Sequence, residues 1–398
     1  MCRCRPVHDR SPDVRVRYGR RMSDTIRYGV IGTGMMGCEH LRNIEALPDA
    51  TTVAVSDPLG TSRAWAAKAV GGHPIDTYTD HRDLLQRDDL DAVVIASPNH
   101  THADVVRDVF ARRPDLHVMI EKPLCTTVAD CVDLIARERA RPAGAGIVWV
   151  GLEYRYMPPV ARLLDELRAG TVGTLRMLAV REHRFPFLRK VGDWNRFSAN
   201  TGGTLVEKCC HFFDLMNLAV GSRPQRVLAS GGQDVNHLDE VYDTPSGPRR
   251  ADILDNAYVI VEYADGVRAM LDLCMFAEGG PHEQEIVATG DTAKIEAFVP
   301  SGQLRVGVRG GTPRPNGEWT SKEVREIDAS HDERIAFEGF HHGASYLEHT
   351  AFVAAIRGGC PAAVTLTDGL WAVAVGVAAH RSIDEGRAVR IEELGLSS

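Results

Sequence analysis

The six residues Gly32-Thr33-Gly34-Met35-Met36-Gly37 constrain this chain more than any other stretch. They stand directly after a β-branched run, Ile26–Ile31, and directly before a helix-period segment carrying Leu41 and Ile44 that Pro48 stops. In a strand–turn–helix of that kind each glycine has its own task. Gly32 permits the tight turn, Gly34 lets backbone approach a pyrophosphate, and Gly37 lets helix pack on strand. Thr33, Met35 and Met36 complete the loop, and the helix N-terminus holds the anion through its unmatched amides and its dipole. Asp57 follows Gly37 by 20 residues at the end of the next strand, Thr52–Ser56. A carboxylate there accepts hydrogen bonds from ribose hydroxyls. It also repels a 2′-phosphate, so NAD is expected rather than NADP. Arg63, six residues further on, is the side chain that could reverse this preference.

The segments that follow repeat the pattern. Short β-branched runs at Ala92–Ala96, Leu116–Ile120 and Ile147–Val150 alternate with helical stretches, which predicts βαβ units and a parallel sheet over residues 23–150. Ligands bind such sheets at the carboxyl ends of the strands. Two turns fall there: Ser97-Pro98-Asn99-His100, with His102 just beyond, and Glu121-Lys122-Pro123.

After about Gly151 the rhythm changes. Helices are expected over Pro158–Ala169 and Thr204–Val220, then alternating strands at Ala257–Tyr263, Val267–Phe276 and Glu285–Thr289, with Asp265-Gly266 as a hairpin turn. Loops are expected at Thr244–Pro248 and Thr312–Gly317. Two more helices, Ser345–Arg357 and Thr367–Glu385, are expected to pack back toward the first domain. The predicted fold class is an α/β Rossmann domain followed, over 151–398, by an α+β domain with a large, mostly antiparallel open sheet.

Composition narrows the partners. The chain has 398 residues, 44% hydrophobic and 25% charged, as ordinary globular proteins do. Its longest strongly apolar stretch, Leu370–Ala379, is far short of the ~20 residues that span a bilayer. The net charge is −8 with no Lys/Arg-rich run in the body of the chain, so a small molecule is the expected partner, with neither nucleic acid nor membrane. Nine scattered cysteines, an odd number, read as reduced thiols in a cytoplasm. The first 21 residues are different, with seven Arg and only Asp9 and Asp13 as acids. Residues 1–22 read as a disordered basic extension with Met22 opening the compact part; a transit-like segment is the other reading.

Gly32–Gly37, the Ser97-Pro98-Asn99 turn and above all Glu121-Lys122-Pro123 resemble the Gfo/Idh/MocA family of nicotinamide-dependent oxidoreductases. The resemblance runs from about Ile26 to Ile391. In the second domain it is carried by Gly202-Gly203 with His211 and Asp214, and by Asp368-Gly369-Leu370, Arg381-Ser382 and Glu385-Gly386-Arg387. It implies that Lys122 sits beside nicotinamide and the reacting hydroxyl, and that His211 is the catalytic histidine of a pattern Gly-Gly-x3-Asp-x-Gly-x-His-x2-Asp. Here Glu207 replaces the Asp and Cys209 the Gly, and Lys208 adds a second cation that common members lack. Cofactor contacts are implied at Ser97, Asn99, His102, Glu121 and Lys122. Substrate contacts are implied at Glu153, Tyr154, Arg155 and Tyr156, and at His183, Arg184, Asp193 and Trp194. Pairing of sheet on sheet into homodimers or homotetramers is implied as well.

Read by themselves, Glu207, His211 and Asp214 fall at i, i+4 and i+7 on one face of the expected helix. An imidazole flanked by carboxylates is a base whose tautomer can be fixed. The same face could be a solvated one, or Glu207 and His211 could ligate a metal; no metal is expected, because no further pair at ligand spacing accompanies them. Three functions remain. The first is a dehydrogenase acting on a secondary hydroxyl of a sugar or an inositol-like cyclic polyol. The second is a glycoside hydrolase that keeps its NAD and uses transient oxidation. The third, a non-catalytic sensor, ranks last because Lys122 and His211 are both present. Lys122, Lys208, Arg184, Arg155 and Arg189 together would favour an anionic substrate.

Overall fold

The computed structural model describes residues 16–17, 20–21, 24–244 and 247–396. The expected extension, residues 1–22, lies outside them but for a ribbon of Val16–Arg17 against Arg20–Arg21. The chain forms two compact units: one from the residues through Glu153, Lys190–Trp194 and Arg334–Leu370, the other from Tyr154–Arg189, Asn195–Glu333 and the residues from Trp371 on.

The first unit is built on six parallel strands, β1 (Ile26–Ile31), β2 (Ala50–Ser56), β3 (Asp76–Tyr78), β4 (Ala92–Ile95), β5 (His117–Glu121) and β6 (Val148–Gly151). Their order is β3-β2-β1-β4-β5-β6. Helices α1 (Met35–Glu45), α2 (Gly60–Ala69), α3 (His102–Arg112) and α4 (Val128–Arg139) make four of the five crossovers, and the short helical turn His81–Leu84 lies in the fifth, between β3 and β4. Because helices cover both faces, the central strands are apolar throughout: Val30, Val93, Val94, Met119 and Ile120 are all inaccessible. The strand order reverses between β1 and β4, the place where such a sheet opens a ligand crevice.

The second domain was expected over 151–398, with its C-terminal helices packing back toward the first. The helix Ala344–Gly358 belongs to the first unit, where Phe352 packs 5.8 Å from Trp149 and 6.5 Å from Tyr28, ring to ring. Trp149 Nε1 donates to Glu348 Oε1 at 3.0 Å, so the indole finds the polar partner it needs when buried.

The second unit carries a nine-stranded sheet. Its strands are β7 (Leu175–His183), β8 (Pro224–Gly232), β11 (Asn256–Tyr263), β12 (Arg268–Cys274), β13 (Gln284–Gly290), β14 (Ala293–Val299), β15 (Gln303–Val308), β16 (Glu323–Asp328) and β17 (Val389–Arg390), while β9 (Val241–Thr244) and β10 (Gly247–Arg250) form a separate hairpin. The order is β16-β15-β14-β13-β7-β12-β11-β8-β17. Only β7 and β12 pair in parallel, so the sheet is mostly antiparallel as predicted. Period-two alternation divides its faces. Leu178, Val180, Val259, Val261, Leu271 and Leu273 turn to the buried face; Met177, Leu228, Tyr258, Ile260 and Met270 stand exposed on the other.

Three local expectations need correction. Residues 244–248 were read as a loop, whereas Thr244 and Gly247–Pro248 belong to the β9–β10 hairpin, with Pro245 and Ser246 outside the described residues. The helix expected over Thr204–Val220 is split into Thr204–Glu207 and Cys210–Val220. The cause is a widened turn: the Cys209 amide reaches back five residues to the Thr204 carbonyl at 3.4 Å, so one extra residue is accommodated. Finally, Cys38, Cys125, Cys131, Cys209, Cys210 and Cys274 are free thiols, but the all-reduced expectation fails at Cys360, which is disulfide-bonded. Among the described residues no helix is long and apolar enough to cross a membrane.

Candidate active site

A cavity of about 480 Å³ opens in the first unit at the point where the strand order reverses. Gly32, Gly34, Met35, Met36, Asp57, Ser97, Asn99, His102, Glu121 and Lys122 line it, all expected at a cofactor site. Gly32 has φ +87, and a Cβ there would meet the Ser97 backbone at 2.6 Å; one on Gly37 would lie 2.0 Å from the Gly32 carbonyl. These two glycines are therefore used for close packing. Gly34 is different, because no atom lies within 4 Å of where its side chain would begin. It is the N-cap of α1, whose first turn has neither a capping side chain nor an acid. Open space before unmatched helix amides fits a pyrophosphate.

The rest of the cavity fits a dinucleotide too. Asp57 Oδ2 accepts the Thr33 amide at 2.9 Å and Oδ1 accepts the Leu59 amide at 2.9 Å, which fixes the carboxylate at the end of β2. Arg63 Nη1 donates to the Asp57 backbone oxygen at 2.5 Å. Asn99 Nδ2 is buried without a hydrogen-bond partner among the described residues, a donor for a ligand to satisfy. His102 has a structural task as well: its ring nitrogens each lie 2.9 Å from a carbonyl, Pro123 O and Ser97 O, tying together the two turns that line the site. Glu121 Oε2 accepts the Lys122 amide at 3.0 Å.

Lys190, Val191 and Trp194 complete the lining, with Lys190 Nζ 4.7 Å above the Trp194 ring. Trp194 was expected among the substrate contacts; Val191, Ser62 and Thr79 in this wall were not anticipated. Asp193, beside them, adopts φ 52. Glu153, at the end of this unit, has His341 Nε2 3.6 Å from its Oε1.

In the second unit His211 stands in the first turn of Cys210–Val220 and is buried. The Tyr154 ring stacks on its imidazole, centroids 4.0 Å apart and planes 8° from parallel. Glu207 is buried at the end of the preceding turn of helix. Asp214, the third member of the expected face, is engaged by Arg155 through two hydrogen bonds, Nε to Oδ2 at 2.6 Å and Nη2 to Oδ1 at 2.5 Å. Tyr156 is half-buried on the turn that carries Tyr154 and Arg155.

Three of the five cations expected to favour an anionic substrate have carboxylates of their own. Arg155 has Asp214; Lys208 Nζ lies 2.9 Å from Glu182 Oε1; Arg184 Nη1 lies 3.2 Å from the same oxygen. Arg189 rests over the Tyr242 ring. His183 points to the exposed face of the sheet with Arg181, its Nε2 3.0 Å from Asp272. The residue of β7 that enters the face toward Lys208 is Glu182, one position earlier. Strand alternation in the sequence could have separated the two, but what lies opposite each face is not written in β7 itself.

Comparisons with known proteins agree with this geometry. The Gfo/Idh/MocA family model for the oxidoreductase NAD-binding Rossmann fold matches residues 26–150, and the model for the family's C-terminal alpha/beta domain matches residues 165–391. The chain is 26% identical over 373 residues to the myo-inositol 2-dehydrogenase of Thermotoga maritima, across 93% of this chain and 99% of that one. It is 30% identical over 372 residues to inositol 2-dehydrogenase 1 of Saccharopolyspora erythraea, across 92% and 97%. Among solved structures it is similar to a probable dehydrogenase from Thermotoga maritima, with TM-score 0.70, 25% identity, and 93% and 100% of the two chains covered.

Proposed function

The chain belongs to the Gfo/Idh/MocA oxidoreductase family, and from that premise we propose that it is an NAD-dependent dehydrogenase oxidising a secondary hydroxyl of an inositol-like cyclic polyol or a sugar. The observation that carries the reading is the cavity at the strand-order reversal, with Asp57 at one end and Lys122 in its wall. Two relatives covering nearly the whole chain are named inositol dehydrogenases, which supports a polyol. The redox-assisted glycoside hydrolase finds no support in these relatives.

NAD, when bound, accepts the hydride. The chain's own residues do the rest. A carbinol carbon releases hydride only as its hydroxyl loses a proton, so a base must stand within about 2.6–3.2 Å of that oxygen. His211 is that base, and Glu207 holds the imidazole or a neighbouring substrate hydroxyl. The Lys122 ammonium donates to the developing alkoxide, where charge is greatest in the transition state.

The exposed sheet face is the surface by which copies of the chain associate into dimers or tetramers. Leu228, Ile260 and Met270 are consecutive in register across β8, β11 and β12 and all face outward, with Tyr258 beside them. Free thiols at six of the seven described cysteines, all but Cys360, support a cytoplasmic setting.

The test is a panel of inositol isomers, other polyols and sugars with NAD, following the absorbance of NADH. Turnover of a cyclic polyol is expected. NAD binding without NADH formation on any member would refute the reading.

A further inference from the structure

Lys208 breaks the pattern of residues around His211, and the structure gives it specific company. Its side chain is 7% exposed. The Nζ lies 2.6 Å from the Tyr154 hydroxyl and 2.9 Å from Glu182 Oε1. It also sits 5.0 Å from the Tyr154 ring centroid and 5.6 Å from that of Phe212. Glu182 is wholly buried. Burial pushes the Lys208 ammonium down, and the Glu182 carboxylate opposes that push.

A buried lysine placed so is costly unless its charge is paired and its donors are used. Glu182 pairs the charge. The phenol takes a second donor, and that hydrogen bond fixes a ring that in turn lies flat against His211. A ring stacked at 4.0 Å and 8° offers its face, so its hydroxyl does not hydrogen-bond the imidazole. What it supplies is the plane of the imidazole. Against such a wall the base cannot swing about its own side-chain torsion without unstacking, and Tyr154 cannot slide without breaking its bond to Lys208. Proton transfer depends steeply on orientation, with an error of about 1 Å worth roughly a hundredfold in rate.

We propose that Glu182, Lys208 and Tyr154 form a buried positioning relay that fixes the imidazole plane of His211 for proton abstraction. The inference rests on the reading of His211 as the base and goes beyond it, assigning Lys208 and Tyr154 to the base rather than to the ligand.

The test compares Tyr154→Phe, which keeps the stack and frees the ring, with Lys208→Met paired with Glu182→Gln, so that no buried carboxylate is left uncompensated. His211→Ala is the control. On the polyol that the wild type turns over, both relay variants are expected to lower kcat by about 10- to 100-fold. KM and NAD affinity should stay within about twofold, and the primary deuterium isotope effect on kcat should rise as the chemical step becomes limiting. Lys208→Arg, which keeps the charge and the donors, should recover part of the loss. A merely structural lesion would reduce the active fraction and leave the isotope effect unmoved. Wild-type kcat and isotope effect in both relay variants, with His211→Ala inactive, would overturn the relay alone; full activity in His211→Ala would overturn the base assignment and the relay with it.

Discussion

His40 Nδ1 lies 2.8 Å from His349 Nε2, although 309 residues separate them in sequence. On its other side His40 Nε2 lies 2.7 Å from Glu121 Oε1. Burial alone would push the Glu121 carboxyl up, but the hydrogen bond and charge of His40, with Lys122 nearby, hold it down at about 2. An ionised Glu121 can only accept, so His40 donates to it through Nε2, while its Nδ1 shares the other hydrogen bond with His349 Nε2. Burial, and then His40, keep His349 well below its ordinary range and therefore neutral. The pair thus braces the carboxylate whose other oxygen receives the Lys122 amide.

Removing that brace leaves a buried carboxylate short of a donor. His40→Ala should cost about 1.5–3 kcal/mol, the worth of a hydrogen bond to a charged group, measured by urea denaturation. His40→Gln, which can still present a nitrogen donor to Glu121, should recover most of it. Equal stability of the alanine variant and the wild type would show that Glu121 does not depend on His40.

Asp57 is expected to select the cofactor. Asp57→Ala should weaken NAD binding by about 10- to 100-fold, the equivalent of one charged hydrogen bond, and NADP binding much less, because the 2′-phosphate no longer meets an anion. Fluorescence titration with both nucleotides measures the difference. A wild type that binds NADP more tightly would contradict the assignment.

For the chemical step, His211→Ala should lower turnover by about 10²–10⁴-fold, the range for a positioned general base, with NAD affinity little changed. Lys122→Ala should lower turnover and also disturb the cofactor cavity that it lines. If the histidine variant kept near-normal turnover while the lysine variant lost it, Lys122 would be the base.

Acid should loosen the fold through His380. Its Nε2 accepts the Leu205 amide at 3.0 Å, and burial pushes its imidazole down to about 4. The unfolded chain takes up a proton near pH 6.5 that the folded chain refuses until about 4. The stability is therefore complete above 6.5 and falls as pH drops through that window. By pH 5 the loss from this group is about 2 kcal/mol. His102 and His349, also lowered by burial, act in the same direction. Urea melts at neutral pH and pH 5 measure the total, and His380→Gln should reduce the difference.

The outward sheet face gives the fifth prediction. Ile260→Lys places a charge amid Leu228, Met270 and Tyr258, and should shift light-scattering mass from dimer or tetramer to monomer. A wild type that is already monomeric at micromolar concentration would end the proposal.

Much of the first unit was legible in the sequence because parallel strands covered on both faces are short uninterrupted apolar runs. Ile26–Ile31 begins and ends where it was read, and the other runs differ by a residue or two at their ends. Gly32, Gly34, Gly37 and Asp57 were legible for another reason: their tasks are set by backbone geometry within one strand–turn–helix. The misses are the places where distant segments meet. Nothing in Val191 marks it as cavity lining, since the partner surface lies on residues more than fifty positions away. Period-3.6 reasoning put Glu207, His211 and Asp214 on one face, but a widened turn leaves no apolar residue out of step, and Arg155, which claims Asp214, comes from another element.

The helix that carries His349 and Phe352 closes the core around Tyr28 and Trp149, and this has a bearing on how the protein is made. A ribosome finishes the six parallel strands of the first unit by Gly151, yet Phe352 emerges only some two hundred residues later. During that interval the nascent sheet has an open flank where Trp149 and Tyr28 will be buried, and exposed apolar surface of that kind is what chaperones hold. The first unit is therefore begun first and completed late, after every strand of the second unit but the short β17 has been synthesised.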